Sequence, residues 1–320
     1  RSDNLGRIDI VNPTLNLELT KDGSNLESIL ATYLQTTTTD SARSLPQLEL
    51  SITDGTLLLA PQQGGAVHQF DAIQAKVKIG SNEGPIHCLV SLQTPVTDSD
   101  VGKLSIDCVV DPGKSDLTVS TINAKLESNQ FPLTSIAPLA DRFSDPIQLQ
   151  GHVTGDLTVF VDRLNSQISL NTKRLNVQDI NLLAPAYLGS DRISIQRIAA
   201  SGQLGLSPQR VTAEQFSVES EIGKLKVDGE FDISQMIKLA VNGQLPSSPF
   251  EMDVEADLAR ILQMLPETMR IRNDVQVTSG TATIHANTRN QSDVQRIMFN
   301  MDVANVRAQQ GTQSMIWNRP

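Results

Sequence analysis

The alternation of apolar and polar residues with a period of two, sustained almost from end to end, is the feature that most limits how this chain can fold. It is plain in Leu15/Leu17/Leu19, Leu48/Leu50/Ile52, Ile73/Ala75/Val77/Ile79, Leu157/Val159/Val161, Leu225/Val227, Met252/Val254/Ala256 and Ile297/Phe299/Met301/Val303. The positions between are mostly Asn, Thr, Lys, Glu, Asp or Ser, so each segment reads as a strand with one apolar and one wet face. Such strands build antiparallel sheet. A doubly wound α/β chain would instead alternate near-continuous apolar strands with long amphipathic helices.

Turn residues keep the same rhythm. Asp22-Gly23, Asp54-Gly55 and Asp228-Gly229 read as tight turns, and strands read as opening on Gly55, Gly102, Gly155, Gly202, Gly223 and Gly280. This predicts roughly eighteen short strands. The spacing of those glycines drifts too much for a solenoid or propeller. Short helices are expected over 25–34, opened by the capping box Ser24 to Glu27, over 258–265, capped by Asp257 and stopped by Pro266, and over 232–239. Thr36 to Thr39 and Gln62 to Gly65 read as surface loops, and the chain beyond Arg307 is expected to fray. Residues 128–146, with three prolines, break the alternation. They suggest a division into 1–130, a joint over 131–146, and 147–320. The expected class is therefore all-β and mostly antiparallel, its apolar faces either packed sheet to sheet, as in a β-sandwich, barrel or β-repeat stack, or left lining a cavity or groove.

The two cysteines sharpen one register. Residues 86–92 and 104–110 flank the turn-rich stretch Thr94 to Asp100, and a hairpin whose opposed positions sum to 196 places Cys88 against Cys108, Val90 against Ile106, Leu92 against Leu104 and Ile86 against Val110. Directly opposed cysteines on neighbouring strands can reach disulfide geometry. Cys88 and Cys108 are thus a candidate disulfide, the alternative being two reduced core thiols.

Composition removes several functions. Of 320 residues, 26 are Lys or Arg and 36 Asp or Glu, a net charge of −10, which lacks the basic footprint that nucleic acid requires and is repelled by anionic membrane surfaces. Aromatic residues make up only 3%, so the exposed Trp and Tyr platforms of sugar-binding grooves are missing. His68, His87, His152 and His285 occupy separate contexts with no metal-ligand spacing, so no metal and no cofactor is expected. No nucleophile elbow, phosphate loop or zincin motif occurs, and the carboxylate pairs Asp107/Asp111 and Glu219/Glu221 read as solvated strand faces. The sequence predicts no catalytic residue and no enzyme activity. No apolar run reaches the length of a membrane span. The first residue, Arg1, suggests a piece of a longer protein whose anchor or signal lies upstream.

Three segments resemble elements of the AsmA/TamB family of bacterial envelope proteins. They are Gly6-Arg-Ile-Asp-Ile-Val-Asn-Pro-Thr-Leu-Asn-Leu-Glu-Leu-Thr-Lys-Asp-Gly-Ser-Asn-Leu-Glu-Ser-Ile-Leu30; Phe131-Pro-Leu-Thr-Ser-Ile-Ala-Pro-Leu139 with the Ile147 to Val159 strand pair; and Asp257 to Pro266 with Ser279 to His285. The family is similar to bridge-like lipid-transfer proteins, in which a curled sheet offers an aliphatic groove to acyl chains. The resemblance implies an elongated, curled sheet forming a groove, with a few short helices, and a non-enzymatic, lipid-binding or lipid-transfer segment working between two membranes of the bacterial envelope. It also implies a periplasmic setting, phospholipid or another acyl lipid as partner, a membrane anchor outside this chain, and an outer-membrane protein partner. Leu15, Leu17, Leu157, Val159, Val161, Ile168, Leu170, Leu225, Val227, Val254 and Ile284 are the expected groove lining. Ordinary sheet-on-sheet core is the competing assignment for each, and an extracellular structural or adhesive β-repeat protein is the competing function.

Overall fold

The structure, a computed structural model, describes residues 4–20, 23–26, 28, 47–61, 66–80, 84–97, 100–112, 120–140, 145, 147–232, 249–272, 274–291 and 294–317. The helices expected over 25–34 and 232–239, and the loops at Thr36 to Thr39 and Gln62 to Gly65, lie wholly or largely outside those residues. Among the described residues seventeen strands belong to one large, mostly antiparallel sheet that is not closed, with a few short helices. The all-β class read from the alternation is what the chain adopts. The chain divides into two units, Arg1–Ile147 with His152–Asn165, and Gln148–Gly151 with Ser166–Pro320.

In the first unit β1 (Asn4–Val11) and β2 (Thr14–Thr20) follow one another along β4 (Gln47–Pro61), both parallel to it. Pro13 has no N–H to give a ladder, which separates the two strands. The gap is spanned by Asn12 N–H donating to Thr53 O at 2.9 Å and Thr56 N–H to Pro13 O at 2.8 Å. Strand β3 (Gly23–Ser24) folds back on β2. From β4 an antiparallel meander runs through β5 (His68–Ile79), β6 (Ile86–Pro95), β7 (Val101–Pro112), β8 (Ser120–Pro132) and β9 (Gln148–Asp162). The proline-rich stretch after β8 forms a 3-10 turn, Leu133–Ile136, and one helical turn, α1 (Ala137–Ala140).

The second unit is a continuous antiparallel series. It comprises β10 (Gln167–Leu183), α2 (Pro185–Leu188), β11 (Arg192–Leu206), β12 (Arg210–Ser220), β13 (Gly223–Asp232), β14 (Phe250–Asp257), α3 (Leu258–Met264), β15 (Val275–Gln291), β16 (Val294–Gln310) and β17 (Gln313–Trp317). Helix α3 starts where the sequence predicts, with the Asp257 carboxylate accepting from Arg260 N–H at 3.1 Å.

Three expectations need correction. Strands are longer than expected, up to 17 residues in β10, β15 and β16. Most of the glycines assigned to strand starts lie inside strands, where Gly55, Gly202 and Gly280 sit at register shifts. Asp54-Gly55 is likewise a bulge within β4, with Asp54 at φ 53°, and Asp228-Gly229 runs inside β13. The reason is that Asp tolerates positive φ and Gly lacks a Cβ, which serves a bulge as well as a turn. Finally, the chain beyond Arg307 is ordered in sheet through Trp317, because the turn at Gly311 (φ 58°) lets β17 pair back on β16.

The first unit bends. Phe70 on β5 and Phe131 on β8 have β6 and β7 between them, about 14 Å in a flat sheet at ~4.8 Å per strand. Their rings nevertheless stack at a centroid distance of 6.3 Å with planes 12° apart. Together with Leu19 and Leu59 they form a buried cluster, against which Leu17, Leu57, Ile73, Leu92, Leu104 and Val153 pack. The strands therefore curl towards the apolar side. Helix α1, which follows β8, also reaches β4. Register shifts at Asp54, Ala72 and Gln130, each with positive φ, accompany the bend.

Candidate functional site

Directly paired residues of neighbouring strands point to the same face, so the ladder registers can be followed across a unit. In the first unit three aliphatic rows result. One runs Ile8, Leu50, Val77, Cys88, Cys108, Ala124, Val159 from β1 through β9. The second runs Ile10, Ile52, Ala75, Val90, Ile106, Leu126, Leu157, and the third Leu48, Ile79, Ile86, Val110, Ile122, Val161. The hairpin register summing to 196 is found pair for pair. Every residue of these rows from β4 to β9 is half-buried. Their strand neighbours alternate with them and are largely polar.

The second unit repeats the pattern. Leu175, Ala200, Val218, Leu225, Val254, Ile284 and Met301 form a row across β10 to β16, and Phe216, Val227, Met252, Ala286 and Phe299 lie beside it. Leu170 pairs with Leu204, and Ile168 with Leu206. On β16 the rows end in exposed side chains, Phe299 at 63% and Met301 at 55%. Helix α3 lies against one end of this unit, where a Cβ on Gly280 would stand 3.4 Å from Leu258 Cβ.

The residues predicted from sequence thus fall into place unequally. Leu157, Val159 and Val161 supply one residue to each row of the first unit. Leu225, Val227, Val254 and Ile284 are neighbours in the second, and Leu170 and Ile168 occupy its β10 positions, Ile168 at 42% exposure. Leu17 packs on the buried cluster, while Leu15 pairs with Leu57 and is 45% exposed. Sequence reasoning missed Ile122, Ala124 and Leu126, although Ile122-Asn-Ala-Lys-Leu126 carries the same alternation.

What distinguishes these faces from a sandwich core is how little is fully covered. Only twelve apolar residues are buried among the described residues, six of them alanine, and no large side chain is fully buried. Two packed layers would bury most of the rows. Among the described residues every strand belongs to the one sheet.

The opposite faces are charged. Lys76 pairs with Glu49 at 3.0 Å, Lys125 with Glu127 at 2.6 Å and Lys224 with Glu219 at 2.6 Å, all substantially solvated and so worth little each. A depression of about 400 Å³ on this side of the second unit is lined by Lys226, Glu251 and Asp253 among others, and its charges suit no acyl chain. Glu251, Asp253 and His285 offer ligand atoms within 4.8 Å of one another, the one such group among the described residues. They are partly exposed, and His285 is already engaged, its Nδ1 2.6 Å from Asp253 Oδ1 and its Nε2 2.9 Å from Asn287 Nδ2. The sequence concealed this group because His285 lies over thirty residues beyond Glu251 and Asp253.

Cys88 and Cys108 sit in the middle row as unbonded, half-buried thiols. Burial raises the pKa of both, with the Cys108 thiol adding to the effect on Cys88 and the Asp107 carboxylate to that on Cys108.

Comparison with known protein families, with curated proteins and with solved structures finds no match to this chain. Among the described residues no helix is long and apolar enough to cross a membrane.

Proposed function

We propose that this chain is a lipid-binding or lipid-transfer segment that shields acyl chains on its aliphatic sheet faces and needs no catalytic residue to do so. The observation that carries this reading is the first unit's three aliphatic rows, continuous across the strands yet half-exposed. Each acyl methylene removed from water gains about 0.8 kcal/mol, so a sixteen-carbon tail gains on the order of 10 kcal/mol. Neighbouring positions along rows of Leu, Ile, Val and Ala are nearly equivalent to such a tail, which favours sliding over fixed binding. The segments resembling the AsmA/TamB family supply the setting of this proposal, a periplasmic segment between two membranes of the bacterial envelope with phospholipid as cargo.

Val159, half-buried in the middle row opposite Ala124, gives the test. Water can reach a carboxylate there, so Val159→Glu is expected to keep the far-ultraviolet spectrum of the parent while losing uptake of a fluorescent fatty acid. A variant that unfolds would mark the row as closed core, as expected for an unpaired buried charge. Unchanged uptake would sink the proposal. Native mass spectrometry of detergent-free protein expressed in bacteria is expected to find co-purified phospholipid.

A further inference from the structure

The two cysteines stand where a reactive group would be least expected in an aliphatic lining. They occupy adjacent places in the middle row, between Val77 and Ala124, paired directly in the β6/β7 ladder. Opposed residues of an antiparallel pair have Cα atoms ~4.5–5.5 Å apart, inside the span a disulfide bridges. Their side chains share a face, which in this row is the half-open apolar one. No described cation adjoins them in the row to favour the thiolate, since their row neighbours are aliphatic.

We propose that Cys88 and Cys108 are a thiol–disulfide modification site within the lining, cross-linked by a disulfide oxidant when the first unit is empty and shielded when an acyl chain lies over it. The shielding rests on the lipid-binding reading above; the cross-link does not. The oxidant is a low-molecular-weight disulfide such as oxidised glutathione. One cysteine thiolate attacks a glutathione sulfur, the glutathione S–S bond breaks, and one glutathione thiolate leaves. The second cysteine thiolate then attacks the cysteine sulfur of the mixed disulfide and expels the other glutathione. Two electrons pass from the protein to the oxidant, and the two thiol protons end on the two glutathiones. Raised thiol pKa values make the first attack slow at neutral pH, which leaves time for a bound chain to compete.

The experiment first strips co-purified lipid from the whole protein and checks by native mass spectrometry that it is empty. It then treats the protein with oxidised glutathione, with and without palmitate, and follows free thiols and intact mass. Without palmitate, both thiols are expected to disappear with loss of two hydrogens in mass, and peptide mapping joins the segments containing Cys88 and Cys108. In Cys108→Ser the reaction stops at a glutathione adduct on Cys88. With palmitate at about ten times its dissociation constant, cross-linking slows about tenfold, as expected if only the empty form reacts. A parent protein that accumulates glutathione adducts without cross-linking, or does not react, overturns the site. Equal rates with and without palmitate, while native mass spectrometry shows palmitate bound, overturn the shielding. A protein that takes up no palmitate overturns the lipid reading and the shielding together, and the cross-link is then judged by the palmitate-free arm.

Discussion

Single residues set where the sheet can bend. Gly102, near the start of β7, faces the bulged stretch of β8, and a Cβ there would meet Gln130 O at 2.7 Å, Pro132 Cδ at 2.8 Å and Phe131 Cα at 3.1 Å. These are backbone and ring atoms that cannot swing aside, so Gly102→Ala is expected to cost about 1–3 kcal/mol. A lowered urea midpoint at unchanged slope would register it; an unchanged midpoint would show that β7 and β8 have room to part. The sequence offered Gly102 only as a strand opener, because its neighbour in space lies almost thirty residues on. Val159 shows the reverse case. Its inward direction followed from Leu157 and Val161 alone, and the exposed Phe160 between them agrees with that alternation.

At the scale of elements, short connections are tied down by polar contacts the alternation does not reveal. Asp191, in the turn before β11, is buried and accepts from Thr268 N–H at 2.7 Å and Glu267 N–H at 3.1 Å, both beyond α3. Burial alone would push its carboxyl up, but the donors of Thr268 and Glu267 together hold it below the usual range. A carboxyl whose folded pKa lies below the unfolded value of about 3.9 adds stability above that value, and the gain is lost as pH falls through the folded pKa. Asp191→Asn is therefore expected to unfold at lower urea near neutral pH and to lose less than the parent on acidification. Parallel urea curves at each pH would contradict this. Elements local in sequence were legible in this chain. The β6/β7 hairpin register came from alternating Cys, Val and Leu, and α3 from its Asp257 cap and Pro266 stop. Bulges were not, since Asp-Gly looks the same at a turn and at a bulge. The Asp191 contact joins residues over seventy positions apart and leaves no local trace.

For the whole molecule, alternation with a period of two along most of the chain predicted sheet, and the class was legible for that reason. Alternation within one strand says which residues share a face. It does not say whether another layer covers them, because that depends on how registers add up over many strands. Cross-strand rows such as Ile8 to Val159 appear only once every ladder is in place. The buried cluster of Leu19, Leu59, Phe70 and Phe131 escaped notice because Phe131 lies in a proline-rich stretch without periodicity. It nonetheless makes the two ends of the first unit's strands unequal, since one end is filled by four side chains and the other is left half-open. For the proposed guest, with a charged head and a long tail, that inequality predicts a polarity: the methyl terminus is expected towards the two phenyl rings and the head near Ile86 and Val110. A stearate bearing a nitroxide near its methyl end should then broaden the ring resonances of Phe70 and Phe131, whereas one labelled beside the carboxylate should leave them sharp. Equal broadening by both would mean that lipids lie in either sense, and that this fold sets no direction for its cargo.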